Sequence, residues 1–439
     1  MHHNEVTFTV QPGGTLKGEA RVPGDKSISH RSIMLGSLAE GTTKVTGFLE
    51  AEDCLSTMKA FQAMGVRIER TDSGGVVIEG VGLHGLKAPH EELYLGNSGT
   101  SMRLLSGLLS GQSFDSTLTG DPSLSKRPMR RVTDPLKSMG AQIDTTDKGT
   151  SPLHIHGGSA LKGIHYDMPV ASAQVKSCLL LAGLYAEGKT SVHEPAPTRD
   201  HTERMLRGFG YDVQREGDTI SVQSGGKLTA MDIDVPSDIS SAAFFMVGAS
   251  IAEGADVTLK HVGMNPTRTG VIDILRLMGA NIEIVSERVV GGEPVADIRI
   301  RQSQLKGIDI PEALVPLAID EFPVLFVAAA CAQGTTRLTG AEELRVKESD
   351  RIQVMADGLQ VLGVDATATP DGMIIHGGKP FGGGTVQSHG DHRIAMAFSI
   401  AGLRASGQIT IHECANVNTS FPTFVSLANG LGLSVRSDA

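Results

Sequence analysis

Six times along its 439 residues the chain repeats one order of events. A short segment rich in Ser, Asp, Gln or Arg opens an apolar helix that runs toward a glycine. A strand follows, then a second helix with a glycine at its end, then a strand pair. The six heads are Gly24-Asp25-Lys26-Ser27, Gly96-Asn97-Ser98-Gly99, Ala171-Ser172-Ala173-Gln174, Pro236-Ser237-Asp238-Ile239, Asp320-Glu321-Phe322-Pro323 and Gly390-Asp391-His392-Arg393. The spacing is about 70 residues, against roughly 20–50 in common solenoids. Any α/β chain alternates strands and helices, but amphipathic helices do not require polar clusters at the same end every time. The pattern therefore constrains the fold to a mixed α/β architecture of repeated units.

The glycines punctuate this pattern. The first helices are expected to stop at Gly41, Gly111, Gly188, Gly254, Gly334 and near Gly407. The second are expected to stop at Gly65, Gly140, Gly210, Gly279, Gly363 and Gly430, with glycine as the left-handed residue beyond the last turn. Strands are expected at 7–9, 16–22, 45–48, 66–68 and 76–78. Three repeats precede Val235-Pro236 and three follow. Residues 1–22 stand before the first repeat without a partner and are expected to pair with the second half. Two domains result, 1–22 plus 236–439 and 23–235.

A helix N-terminus that gathers N–H groups, hydroxyls and cations is an anion site. The first head carries Lys26, Ser27 and Arg31; the second Asn97, Ser98, Gly99 and Thr100; the third Ser172 and Gln174. Gly99 would let an anion approach the backbone closely. Arginines recur in Lys126-Arg127-Pro128, in Arg199-Asp200-His201, in the run Arg345-Val346-Lys347-Glu348-Ser349-Asp350-Arg351, and at Arg393. Guanidinium forks suit phosphate and carboxylate bidentately, so several facing one cleft imply a substrate with more than one anionic group. Asp320 and Glu348 lie at heads of the second half. Nearby cations would lower their pKa values and suit them to act as bases; a proton donor would need burial or a relay from Lys26. His30, His201, His389 and His392 lie near these heads without a carboxylate at recognisable spacing and read as structural.

Net charge is −10, which argues against a dedicated nucleic-acid binder. A local cation cluster can still hold a small anion within a Debye length of roughly 8–10 Å. Trp is absent and aromatics are 4%, so a ligand is held by charge and hydrogen bonds more than by stacking. Cys54, Cys178, Cys331 and Cys414 form no CxxC pair and read as small core residues in a reducing compartment. No His/Cys grouping has metal spacing. No Gly-x-Ser-x-Gly elbow or phosphate-binding Gly-x-x-x-x-Gly-Lys-Ser/Thr loop occurs. No window approaches the ~20 apolar residues of a membrane span, and the N-terminus lacks a basic region followed by an apolar run. The expectation is a cytoplasmic monomer with neither membrane nor nucleic-acid partners.

The motifs also resemble a known family nearly end to end. Pro-Gly-Asp-Lys-Ser-Ile-Ser-His-Arg at 23–31, Gly-Asn-Ser-Gly-Thr-Ser-Met-Arg at 96–103, Lys-Arg-Pro-Met at 126–129, Ala-Ser-Ala-Gln at 171–174, Arg-Val-Lys-Glu-Ser-Asp-Arg at 345–351 and Asp-His-Arg-Ile-Ala-Met at 391–396 are similar to those of the 5-enolpyruvylshikimate-3-phosphate synthases, enolpyruvyl transferases of the shikimate route. The resemblance implies two α/β domains, each of three βαβαββ units forming an inside-out barrel, with the active site in the cleft between them. It implies two substrates, shikimate 3-phosphate and phosphoenolpyruvate, and no metal or organic cofactor. Ser27, Arg31, Ser172, Ala173, Gln174, Arg199 and Lys347 then contact shikimate 3-phosphate. Asn97, Gly99, Arg127, Gln174, Arg351 and Arg393 contact phosphoenolpyruvate. Lys26 touches both, Asp320 takes the proton of the 5-hydroxyl, and Glu348 with Lys26 handles the proton at the methylene carbon. Thr419-Ser420-Phe421-Pro422 departs from the pattern, since many members carry Lys before Thr-Phe-Pro. Leu104 and Ala173 replace a proline and a serine, features of the bacterial branch that includes glyphosate-tolerant enzymes. The sister enzyme acting on UDP-N-acetylglucosamine resembles the chain less. It has Lys-Asn at Lys26-Ser27 and a loop cysteine as acid, and no cysteine here lies in such a loop.

Overall fold

The sequence repeat is realised as sheets. The structure, a computed structural model, describes residues 6–438, so the stretch from Met1 to Glu5 lies outside the described residues. The fold is mixed α/β, with six sheets, none closed into a barrel among the described residues. The helices are α1 (Lys26–Leu38), α2 (Glu52–Ala63), α3 (Gly99–Ser110), α4 (Arg130–Ser138), α5 (Ala173–Gly183), α6 (His201–Gly208), α7 (Ile239–Ile251), α8 (Gly270–Leu277), α9 (Phe322–Cys331), α10 (Arg351–Val361), α11 (His392–Ala401), α12 (Val417–Ser420) and α13 (Phe424–Leu431). The chain falls into two compact units. One takes in Gly24–Val235 and Val289–Glu293; the other takes in the chain up to Pro23, Pro236–Arg288 and Pro294 onward.

In the first unit three sheets share one design. Tyr94 and Leu93 pair in parallel with Ser116–Thr119, which pairs antiparallel with Leu153–Ile155, and that strand pairs antiparallel with Ile143–Asp144. His165–Asp167, Lys189–His193, Thr219–Gln223 and Gln214–Glu216 repeat the order. So do Ile233–Asp234, Glu40–Thr46, Val76–Val81 and Arg67–Arg70. A parallel pair needs a crossover, which the polar-headed helix supplies; α3 and α5 play this part in their sheets. Helix α1 is buried from Ile28 to Leu38.

The second unit draws on the N-terminal segment. Thr7–Val10 lies between Ile409–His412 and Val435–Asp438, antiparallel to both. Lys17–Ala20 pairs in parallel with Asp256–Gly263. All residues of α7 are buried, as are those of α9 from Phe322 to Ala330. A helix that is apolar nearly all round belongs inside a core; the Ser250 hydroxyl near the end of α7 is satisfied by the Met246 carbonyl at 2.7 Å.

The glycines divide into two jobs. Gly65, Gly140, Gly210, Gly279 and Gly363 follow α2, α4, α6, α8 and α10 at φ of +88, +105, +85, +93 and +84°, as expected of left-handed helix ends. The core helices end differently. Helix α1 stops at Leu38, with Ala39 already extended. Helices α5, α7, α9 and α11 end at Gly183, Ile251, Cys331 and Ala401. Gly188, Gly254 and Gly334, at φ of +84, +72 and +95°, open the next strand instead, and Gly41 lies inside Glu40–Thr46. A buried helix hands its chain straight to the adjacent strand, and the left-handed residue makes that turn. The strand expected at 45–48 therefore starts earlier, at Glu40. Gly430 lies inside α13, whose end is marked by Gly432 at φ +126°.

All four cysteines are free; Cys54, Cys178 and Cys414 are buried and Cys331 is half-buried. Burial pushes the thiols of Cys331 and Cys414 up to about 12 and raises Cys54 and Cys178 as well, so they remain protonated small apolar groups. Among the described residues no group of three His, Cys, Asp or Glu is placed to hold a metal ion. None of the described helices is long and apolar enough to cross a membrane.

Candidate active site

In the first unit the heads of α1, α3 and α5 gather the charged and polar groups. The Asp25 carboxylate accepts from the Ile28 N–H at 2.9 Å and starts α1. Lys26 follows, its Nζ 2.6 Å from Asp53 Oδ2 on α2. Arg31 is buried, yet its hydrogen-bond partners among the described residues are all neutral. Its Nε donates to Thr202 Oγ1 at 2.7 Å, Nη1 to the Ser27 carbonyl at 3.0 Å and Nη2 to Ser177 Oγ at 3.3 Å. Burial lowers its pKa to about 10, opposed by Asp25, Glu203 and Glu293 and assisted by Arg199. It stays charged at neutral pH, with Arg199 in electrostatic range. A solvated charge is excluded for Arg31 by its burial.

The N-terminus of α3 is set by Ser98, whose Oγ accepts from the Ser101 N–H at 3.1 Å. A Cβ at Gly99 would lie 3.0 Å from Arg127 Nη1 and 3.3 Å from Arg103 Nη1, so two guanidinium groups meet the backbone here. Arg127 Nη2 donates to Asn97 Oδ1 at 2.9 Å, and Asn97 Nδ2 is held by Asp121 at 3.0 Å. Gln174 Nε2 donates to Thr100 Oγ1 at 3.0 Å, and Gln174 Oε1 accepts from Arg103 Nη1. Burial, then Arg127 and Arg131, lower the pKa of Arg103. Converging cations of this kind favour a bound anion. Ser172 caps α5 through Val175 N at 3.2 Å, and Ala173 is the first helical residue.

Sequence reasoning placed Arg103 in a motif but not in the site. The available signal was its spacing of four from Gly99, one helical turn on the same face. Asp53 carried no comparable signal.

The second unit gathers its groups at the heads of α9, α10 and α11. Arg351 has no solvent exposure. Its Nε donates to Asp391 Oδ2 at 2.8 Å and Nη2 to Glu348 Oε2 at 2.6 Å; Nη1 lies 3.6 Å from Asp320 Oδ1. Nη1 has no hydrogen-bond partner among the described residues. Asp391 also accepts from Ser349 Oγ at 2.8 Å and from the Arg393 N–H at 3.0 Å, starting α11. Burial alone would raise Asp391, but Arg351 and neighbouring cations hold it, and the more exposed Glu348, below the usual carboxylate range. Lys347 Nζ reaches Glu343 at 3.4 Å. The Arg393 guanidinium makes no hydrogen bond or ion pair among the described residues. Enclosure and Arg393 push His392 down to about 3, and its Nδ1 lies 2.5 Å from Ser420 Oγ. Thr419 Oγ1 donates to the Asn416 carbonyl at 2.7 Å, so the position departing from the motif bonds its own short helix. The 345–351 run is no solvated stripe: Arg345 pairs with Asp350 at 2.8 Å and Arg351 is interior.

Two of the histidines near the heads, His30 and His201, are buried. His30 is buried with Nδ1 2.8 Å from Thr57 Oγ1, and burial followed by Lys26 and Arg31 lowers its pKa well below the usual value. His201 is buried against Glu293 at 2.7 Å.

Repeated α/β units that bury Arg31 among neutral partners and hold Arg351 among ionised carboxylates fit an enzyme for small, multiply anionic substrates. The comparisons narrow this class. The family model for EPSP synthase (3-phosphoshikimate 1-carboxyvinyltransferase) matches residues 10–427. The 3-phosphoshikimate 1-carboxyvinyltransferase of Methylococcus capsulatus is 72% identical over 436 residues, covering 99% of this chain and all of that one. That of Alkalilimnicola ehrlichii is 68% identical over 435 residues, covering 99% and 98%. The solved EPSP synthase of Acinetobacter baumannii superposes with a TM-score of 0.95 at 64% identity, covering 99% and 100%. The chain belongs to the EPSP synthase family, the 3-phosphoshikimate 1-carboxyvinyltransferases. It is a transferase of the shikimate route to the aromatic amino acids.

Proposed function

We propose a division of labour for the family's reaction, in which the enolpyruvyl group of phosphoenolpyruvate moves to the 5-hydroxyl of shikimate 3-phosphate and inorganic phosphate leaves. The first unit's Ser27, Arg31, Ser172, Ala173, Gln174 and Arg199, with Lys347 of the second, hold shikimate 3-phosphate. Lys26, Asn97, Gly99, Arg127, Gln174, Arg351 and Arg393 hold phosphoenolpyruvate. Each unit is an inside-out barrel of three βαβαββ repeats. The family resemblance supports this arrangement.

Asp320 takes the proton of the 5-hydroxyl as the oxygen attacks C2 of phosphoenolpyruvate. The methylene carbon gains a proton, giving a tetrahedral intermediate; loss of phosphate and of a methyl proton then restores the double bond. Glu348 suits proton removal, because Arg351 keeps it ionised. The proton delivered in the addition step comes by way of Lys26. No cofactor or metal enters this scheme. The enzyme works as a cytoplasmic monomer.

The buried Arg351 Nη1, 3.6 Å from Asp320 Oδ1 and without a hydrogen-bond partner among the described residues, carries the phosphoenolpyruvate assignment, since such a donor costs free energy until an acceptor arrives. Arg127→Ala tests the division. It raises the KM for phosphoenolpyruvate about 10–150-fold, the value of one charge-assisted contact, and leaves that for shikimate 3-phosphate nearly unchanged. Equal effects on both would contradict it.

A further inference from the structure

Close to Arg31 lies a buried ion cluster that the proposed reaction does not use. The Lys176 side chain on α5 has no exposure. Its Nζ lies 2.5 Å from Glu194 Oε1 and 2.9 Å from Glu203 Oε2, and those side chains are 1% and 3% exposed. Arg215 reaches Glu194 Oε2 at 3.6 Å from a partly exposed position. Burying such a cluster is expensive, and apolar residues of similar volume would join α5 to α6 at least as well. Its placement gives it a use.

Two of its members adjoin groups that hold an arginine. Lys176 precedes Ser177 and Glu203 follows Thr202, and these two hydroxyls receive the Arg31 guanidinium. Thr202 Oγ1 also donates to Ser177 Oγ at 2.7 Å, linking the two helices at the seat. Glu194 Oε1 accepts from Thr198 Oγ1 at 2.5 Å, one residue before Arg199. The cluster thus ties together α5, α6 and the segment leading to Arg199. Glu203 lies in electrostatic range of Arg31 and is kept from competing for it by its ion pair with Lys176.

We propose that Lys176 is a positioning residue for recognition of the phosphate-bearing acceptor. It balances two carboxylates so that they order the seat of Arg31 without neutralising that cation. This rests on the assignment of Arg31 to shikimate 3-phosphate. In Lys176→Met the surplus negative charge draws Arg31 away from the substrate. In Lys176→Met/Glu203→Gln the surplus is gone.

Calorimetry with shikimate 3-phosphate, alongside KM for phosphoenolpyruvate at saturating acceptor, decides it. Lys176→Met weakens shikimate-3-phosphate binding at least about tenfold, the scale of one charge-assisted contact, with the phosphoenolpyruvate KM nearly unchanged. The double variant recovers most of the loss, and Lys176→Arg stays near the parent. Unchanged affinity in folded Lys176→Met would overturn the proposal, as would a loss that Glu203→Gln does not repair, which is what packing damage gives. If Lys176→Met does not fold, Glu203→Gln alone decides: binding at least as tight as the parent supports the proposal, and a tenfold loss ends it. Arg31→Ala is the control for the underlying assignment; unchanged binding there would reject that assignment separately.

Discussion

The Arg351 guanidinium and the Asp391 carboxylate meet at 2.8 Å with neither side chain exposed to solvent. Asp391 starts α11, and Arg351 starts α10, so one ion pair ties two helix N-termini together. The same arginine reaches Glu348 and lies near Asp320. Breaking a buried pair by removing one charge costs about 3–5 kcal/mol. Asp391→Asn is expected to lose stability of that order in urea denaturation and to raise the KM for phosphoenolpyruvate. An unchanged midpoint would show that the pair is not structural.

Gly99→Ala places a methyl group about where two guanidinium groups converge, 3.0 Å from Arg127 Nη1 and 3.3 Å from Arg103 Nη1. Both arginines must give way by tenths of an ångström. The expected result is a higher KM for phosphoenolpyruvate, roughly 10-fold or more if one charged hydrogen bond is lost, with unfolding almost unaffected. Steady-state kinetics with each substrate varied in turn checks this; a rise confined to shikimate 3-phosphate would refute the placement.

Glu348→Gln removes the carboxylate that Arg351 holds ionised while keeping its size. Turnover is expected to fall by about 100-fold or more, as for loss of a general acid–base group. Shikimate-3-phosphate affinity should stay close to that of the parent, and calorimetry showing lost binding would count against a proton-transfer role.

Acid should destabilise the fold in two stages. The folded state holds His30 and His392 below the ordinary histidine value of ~6.5, His392 at about 3. Below pH ~6.5 the unfolded chain therefore gains protons that the folded chain refuses, and stability falls as pH drops toward 3. Asp391 and Glu348 are held below the usual carboxylate range. Their contribution is complete above pH ~4 and disappears as pH falls through their folded values. Thermal midpoints should decline from about pH 6.5 downward, and His392→Asn should flatten part of that decline. A profile flat from pH 7 to 4 would contradict this.

Much of the repeat was legible because it rests on local rules. Polar heads before apolar helices locate Asp25, Ser98, Ser172 and Asp391 as caps, since each side-chain oxygen answers a free N–H of the first turn. Gly65, Gly140, Gly210, Gly279 and Gly363 mark helix ends for the same local reason. Gly41, Gly188, Gly254 and Gly334 misled, because a positive φ serves a strand entry as well as a helix end and only tertiary burial of the core helix decides which. The burial of Arg31 and Arg351 was not readable either. Charged residues read as solvated until Ser177, Thr202 and Asp391, 40 to 171 positions away in sequence, are folded against them. Arg103 was missed for that reason: it meets Gln174, which another repeat brings up.

Release of inorganic phosphate on mixing the enzyme with shikimate 3-phosphate and phosphoenolpyruvate tests the functional reading most directly. One phosphate is expected for each 5-enolpyruvylshikimate 3-phosphate formed, with none from either substrate alone and none when UDP-N-acetylglucosamine replaces the acceptor. No release from the pair, or equal release with the sugar nucleotide, would contradict the reading.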